Sequence, residues 1–302
     1  MENDLRLADV RVFERHRARL FGIAYRMLGT VEDAEDVLQE AYLRWHQADA
    51  AEVRTPEAWL VAVTTRLSID RLRRAATERE QYVGDWLPEP IATDPPSAAD
   101  RQAEMASDLS MAFLVLLERL APEERAALLL HDVFDTDYGE IARVLEKSEA
   151  ACRQLVHRAR VRVRGDRARF PVSPETKERL LEQFLAALGA DDQDAVLALV
   201  ADDATYTSDG GGRVPATRRV VRGADRIARL LLGFERKGRG LLRHEVAWLN
   251  GEPAITTYVG DRLFFTTSVE TNGERLLAFY RVLNPEKLRH AGSGEHGTEE
   301  RR

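Results

Sequence analysis

Apolar positions recur at helical spacing through almost all of residues 1–80. "RLFGIAYRMLG" ends at Gly29, a natural helix stop. "VEDAEDVLQEAYLRWHQ" follows, with acids in its first turn where the helix dipole favours them. After the loop "ADAAEVRT", Pro56 opens a third helix, "PEAWLVAVTTRLSIDRLRRAATERE". Proline suits that position because first-turn N–H groups have no helical partner. Residues 81–103, "QYVGDWLPEPIATDPPSAADRQA", hold four prolines and no sustained period, which predicts an acidic-leaning linker. Helical text resumes at Glu104 and continues to about Arg169.

Beyond Pro171 the character changes. One or two helices, "PETKERLLEQFLAALGA" and "DQDAVLALV", give way to "DDATYTSDGGGRV", and a further helix lies around "GADRIARLLLGFER". Three or four strand-like runs follow: "LLRHEVAWLN", "EPAITTYVGD", "RLFFTTSVE" and "ERLLAFYRVL", with "NGE" and "GD" as turn signals. Helices followed by antiparallel strands predict a separate α+β domain over 171–290. The tail 291–302 reads as disordered.

Composition narrows the setting. A chain of 302 residues has room for two or three cores, and 44% hydrophobic with 31% charged residues is ordinary for a water-soluble protein. The single cysteine, Cys152, allows no intrachain disulfide and suits a reducing compartment. The N-terminus is too charged for a signal peptide, and the longest apolar run, "AFLVLL", is too short to cross a bilayer. The expectation is a cytoplasmic protein with no membrane partner.

Charge changes the picture more. The formal net charge is −7, yet residues 152–170 carry seven arginines and one acid, Asp166. Upstream, "YGEIARVL" is a short amphipathic helix, "EKS" a tight turn, and Ser148 an N-cap for a helix opening at Glu149. Two helices so joined predict a helix-turn-helix. Cys152, Leu155, Val156, Ala159 and Val163 form one apolar stripe of the second helix. Glu149, Arg153, Gln154 and His157 then project oppositely, at the end that enters a major groove. Arg153 and Gln154 suit base edges; Arg158, Arg160, Arg162 and Arg164 suit phosphates. Cys152 reads as packing rather than redox chemistry, and His157 as a polar contact.

The motifs "DAEDVLQEAYLRW", "PEAWLVAVTTRLSIDRLRRA" and "YGEIARVLEKSEAACRQLVHRAR", in this order and spacing, resemble the two helical domains of extracytoplasmic-function RNA polymerase sigma factors. The resemblance implies region 2 over 1–80, a linker over 81–103 and region 4 over 104–170. It implies core RNA polymerase and promoter DNA as partners, with no catalytic residue, cofactor or metal. Asp33, Asp36 and Glu40 recur at i, i+3 and i+7 as an acidic face, which the resemblance assigns to docking on core polymerase. Val37, Ala41 and Leu43 lie elsewhere on that helix. The resemblance implies that the melted minus-ten strand is captured here, with the loop residues Arg54 and Thr55, then Thr64, Thr65 and Arg66, and the basic cluster of Arg71, Arg73 and Arg74 as candidates. Trp59 could stack a base, but its neighbours Leu60 and Val63 favour a core position.

Residues 171–302 resemble the SnoaL-like branch of the NTF2-like fold, a curved sheet wrapped around helices. A subgroup of these sigma factors carries such an extension, with "WLPEP" in the linker, "DGGG" in the extension and "NPxKL" near its end. Here these are Trp86–Pro90, Asp209–Gly212 and "NPEKL", Asn284–Leu288. Contacts among Trp86, Leu87, Asp209, Gly210, Gly211, Gly212, Asn284, Pro285 and Lys287 are expected to let this domain regulate the sigma domains in cis. Its pocket could hold a small-molecule ligand. Two rival readings are a cyclase or isomerase using Tyr206, Asp209, His244 or Tyr258, and a helix-turn-helix regulator independent of polymerase. The first would put a DNA-binding appendage on an enzyme; the second leaves residues 11–80 without a purpose.

Overall fold

The computed structural model describes residues 2–48, 53–80, 82–95, 109–164 and 172–292. These cluster into two compact units: 2–80 with 113–164, and 82–95 with 109–112 and 172–292. The described part of the linker therefore clusters with the C-terminal unit rather than standing between domains. Residues 81 and 96–103 of the linker, and 293–302 of the tail, lie outside the described residues.

The helical unit contains α1 (Glu2–Leu28), α2 (Val31–Gln47) and α3 (Pro56–Glu80). It continues through α4 (Met111–Leu117), which begins at the boundary of the two units, and α5 (Pro122–Leu128), whose end widens into a π-turn over Leu129–Val133. Two further helices, α6 (Tyr138–Leu145) and α7 (Glu149–Arg164), complete it. Gly29 ends α1 with φ +80°, a backbone state that costs a side chain dearly, while its N–H still reaches Tyr25 O at 2.7 Å. Thr30 then caps α2, accepting from Asp33 N. Leu20, Ile23 and Met27 of α1, Val37 and Trp45 of α2 and Leu60 of α3 are buried. So are Leu129 and Leu130, Ile141 of α6 and Val156 of α7.

The second unit begins with α8 (Pro174–Gly189) and α9 (Gln193–Leu199), capped by Ser173 and Asp192. Strands β1 (Val200–Asp209), β2 (Val221–Arg222), β3 (Leu242–Leu249), β4 (Glu252–Val259), β5 (Arg262–Thr271) and β6 (Leu276–Val282) form one sheet, and α10 (Ala224–Gly238) precedes β3. The strand order is β2-β1-β6-β5-β4-β3. This is the expected α+β domain, with one correction. The sheet is mixed, because β1 runs parallel to β6. The sequence hides β1: Asp202 and Asp203 interrupt its alternation, and both are exposed. Phe184 of α8, Ile227 and Leu231 of α10, and Ile255, Val269 and Phe279 of the sheet make the core. Ala291 is buried against Leu249 and Ala254, so ordered packing reaches past residue 290.

Candidate functional site

On α2 the acids divide. Asp36 and Glu40 are exposed, and Glu40 accepts from Arg44 Nε at 3.0 Å. Asp33 is half-buried: it accepts from Arg71 at 2.6 Å and hydrogen-bonds Thr30, tying α2 to α3. Leu43 is 47% exposed. It stands seven residues after Asp36, so it shares the acidic face rather than lying elsewhere. An exposed leucine among carboxylates is a mixed apolar and anionic surface.

On α3 the expectation needs correcting. Thr64 and Thr65 are fully buried, so neither lies on a surface that DNA could meet in this arrangement. The reason is the helix period: they share a face with Leu60, Val61, Leu67 and Ser68, all of which are buried. Arg66 is exposed, but it donates to Arg143 O and Val144 O at 2.8 Å each and pairs with Glu146 at 3.1 Å. A guanidinium thus sits on the carbonyl end of α6, where the helix dipole favours a cation. Arg73 donates to Glu123 at 3.0 Å, while Arg54, Thr55 and Arg74 are exposed. Trp59 packs on buried Trp45, ring centroids 5.6 Å apart, which makes it a core partner.

The helix-turn-helix forms as its residues dictate. Asp137 caps α6; Glu146 takes φ +55° to turn the chain; Ser148 Oγ accepts from Ala151 N and starts α7. Cys152, Leu155, Val156, Ala159 and Val163 are all buried. Burial pushes the Cys152 thiol pKa up, which keeps it protonated. Glu149, Arg153, Gln154 and His157 are exposed at the N-terminal end, with Arg153 paired to Glu149 at 2.7 Å and 4.9 Å over the Tyr138 ring. The later arginines differ. Arg158 and Arg162 both donate to the nearly buried Glu124, and Arg160 donates to Asp132. Burial opposes the charge of Asp132, but hydrogen bonds from Arg160 and His131 outweigh it and hold that carboxyl below its usual range. Part of the basic stripe is therefore spent on α5 and the π-turn that follows it.

In the second unit, Asp209 ends β1 fully buried and collects four donors. Its Oδ1 accepts from Tyr82 Oη at 2.6 Å and Gly211 N at 3.0 Å. Its Oδ2 accepts from Leu87 N at 2.9 Å and Lys287 Nζ at 2.7 Å. Lys287 also donates to Leu87 O at 2.6 Å and lies 4.0 Å from the Trp86 ring. Both backbone groups of Leu87 are thus held by one buried ion pair. Asn284 adds a bond to Tyr82 Oη at 3.1 Å and caps the turn of Pro285–Lys287 by accepting from Glu286 N. Gly211 stands at φ +60° so close to Asn284 that a side chain there would collide with it. A side chain at Gly212 would meet Val83. Gly210 abuts Val214 O, and Arg213 pairs with Glu286 at 2.7 Å. Burial, with the hydrogen bond and charge of Asp209, raises the Tyr82 pKa; burial and Asp209 also raise that of Asp85.

The linker continues along this face. Ala92 N donates to His290 O at 2.7 Å, Thr93 N to Trp248 O at 3.0 Å, and Asn250 N to Ile91 O at 2.8 Å. Glu89 is buried and bonds His290 at 2.6 Å. The structure brings together every linker and extension residue singled out above. It adds Tyr82, Asn250 and His290, for which the sequence carries no local signal, and gives Glu89 of the linker motif a partner in His290.

The rival enzyme residues do not converge. The register puts His244 and Tyr206 on the helix-packed face, and Tyr258 and Asp209 on the other. His244 is held by Thr257 at 2.9 Å and Glu235 at 3.1 Å.

Residues 12–78 match the family Sigma-70 region 2, and residues 110–163 match Sigma-70, region 4. The chain is 39% identical over 298 residues to the ECF RNA polymerase sigma factor SigJ of Mycobacterium tuberculosis, with 93% of each chain covered. It is 29% identical over 286 residues to the probable ECF RNA polymerase sigma factor SigI of that organism, covering 90% of this chain and 92% of the other. The crystal structure of the Mycobacterium tuberculosis SigJ superposes with a TM-score of 0.74 at 37% identity, over 92% of this chain and 98% of that one. Among the described residues no helix is long and apolar enough to cross a membrane.

Proposed function

The chain belongs to the extracytoplasmic-function RNA polymerase sigma factors, and from that premise we propose that its C-terminal domain controls promoter access in cis by gripping the interdomain linker. As a sigma factor it binds core RNA polymerase and directs it to promoter DNA; it is not an enzyme. Its place of action is the cytoplasm, where its polymerase works.

In this reading Asp36, Glu40 and Leu43 dock on core polymerase, with Asp33 as an internal strut to Arg71. Arg54, Thr55 and Arg74 meet the minus-ten strand, joined by Arg66 and Arg73 once these leave region 4. Glu149, Arg153, Gln154 and His157 read the minus-thirty-five element. The helical unit described here is the resting form, because Arg66 is spent on the end of α6.

One observation carries the cis control: the Asp209–Lys287 pair holds Leu87 by its N–H and its C=O together. A tether pinned at residues 82–93 cannot lengthen, so the two helical regions stay at high mutual concentration and the resting pair is favoured. A difference of a few kcal/mol between arrangements shifts occupancy a hundredfold. The interior of the same domain holds a small-molecule ligand that adjusts this grip.

The test is promoter-dependent transcription with core polymerase at equal protein concentration. Tyr82→Phe and Trp86→Ala weaken the grip from the linker side, and Lys287→Met weakens it from the domain side. All three are expected to raise transcription several-fold, with removal of residues 172–302 moving it the same way. Output equal to wild type in every variant would leave the domain a passenger.

A further inference from the structure

Arg281 lies in β6 on the face packed by the helices and is only 6% exposed. Its Nε donates to Thr267 Oγ1 at 3.0 Å. Its guanidinium carbon lies 4.2 Å from the Phe265 ring centroid, 5.4 Å from Phe234 and 5.5 Å from Tyr206. Three aromatic faces temper a buried cation but do not replace an anion, since cation–π attraction is a fraction of the cost of removing charge from water. Among the described residues no carboxylate pairs with Arg281, and Glu235, on the same side of the sheet, is occupied by His244. Among the described residues neither Nη atom has a hydrogen-bond partner, and neither is completely sealed from a water-sized probe.

Tyr206 repeats the pattern independently. It is 4% exposed, its hydroxyl has no hydrogen-bond partner among the described residues, and that oxygen too is not completely sealed. Its strand position is in register with Phe279, and the neighbouring Ser208 is in register with Arg281. A guanidinium fork and a phenol, both otherwise buried, thus open beside one another between aromatic walls.

We propose that the interior of the C-terminal domain binds a small apolar carboxylate, its anionic end forked by Arg281 and hydrogen-bonded by Tyr206. The inference deepens the small-molecule part of the function proposed above and is independent of the linker grip. A single cation suits a monoanion: it would neutralise a carboxylate and leave a phosphate dianion under-compensated. The planar fork matches two carboxylate oxygens, and Phe234, which is only half-buried, supplies apolar surface for the ligand's body.

The experiment uses the full-length protein and matched probes: benzoate, 2-naphthoate and hexanoate, each against its neutral amide, with binding read by titration calorimetry. At least one acid is expected to bind tenfold or more tightly than its amide. Arg281→Met should abolish that preference while leaving amide binding in place, and Tyr206→Phe should lower only the acid affinity, several-fold. Should Arg281→Met fail to fold, Arg281→Lys, which keeps the charge but loses the fork, should reduce the preference several-fold. Acid and amide binding alike would remove the carboxylate class and leave a ligand site standing. Neither binding to the folded protein would sink the ligand altogether, and acid binding indifferent to both Arg281 substitutions would move the site elsewhere.

Discussion

Glu124 on α5, which packs against the helix-turn-helix, and Asp209 in the C-terminal domain are both nearly sealed carboxylates that gather cations, yet they stabilise their regions differently. Glu124 receives Arg158 and Arg162, which remain half-exposed, so either guanidinium can return to water when the acid is lost. Asp209 receives Lys287, itself buried, together with the buried N–H of Leu87 and the half-buried phenol of Tyr82. A hub whose partners can escape costs little more than its own hydrogen bonds. A hub whose partners are trapped leaves unpaired polar groups behind.

The largest effect should separate the two. Asp209→Ala is expected to destabilise the C-terminal unit by about 3–5 kcal/mol, because the buried charge of Lys287 loses the carboxylate that balances it. Adding Lys287→Met should recover a good part of that loss. Denaturant melts of the single and double variants check this, and equal losses would mean that Lys287 already escapes to water. Glu124→Gln should cost about 1.5–3 kcal/mol, the range for hydrogen bonds to charged groups, measured the same way. A loss as large as that of Asp209→Ala would erase the distinction.

Arg153 sharpens the comparison from the DNA side, since it answers Glu149 at the exposed end of α7 rather than Glu124. Arg153→Ala should cost about 1–3 kcal/mol of base discrimination at one or two minus-thirty-five positions. Arg158→Ala should weaken the fold while leaving promoter preference unchanged. Selection from a randomised promoter pool reads both.

The smallest effect is at Asp132, whose folded pKa is held below its unfolded value of about 4. A depressed carboxyl contributes stability above that unfolded value and loses it as pH falls through the folded one. Asp132→Asn should therefore cost about 1 kcal/mol near pH 7, and the gap from wild type should close in acid. A gap independent of pH would assign the loss to packing instead of charge.

Local patterns made much of the helical unit legible. The stripe of Cys152, Leu155, Val156, Ala159 and Val163, the Ser148 cap and the Gly29 stop depend on residues within two turns of one another, so spacing alone reveals them. The buried face of α3 was open to the same reasoning, yet Thr64 and Thr65 deceive because a hydroxyl reads as polar while its methyl packs. Strand β1 was hidden by its two aspartates, and its parallel pairing with β6 joins segments some seventy residues apart.

By itself the sequence determined which segments are helical, where the recognition helix begins, and that the short linker and extension motifs belong together. Only the tertiary structure decided which charges meet. Asp33 finds Arg71, Glu124 finds Arg158 and Arg162, Asp209 finds Tyr82 across 127 positions, and Arg281 finds three aromatic rings and, among the described residues, no acid. The physical reason is range. Helix propensity and capping act between near neighbours along the chain, whereas burial and ion pairing depend on what folding brings within a few ångströms.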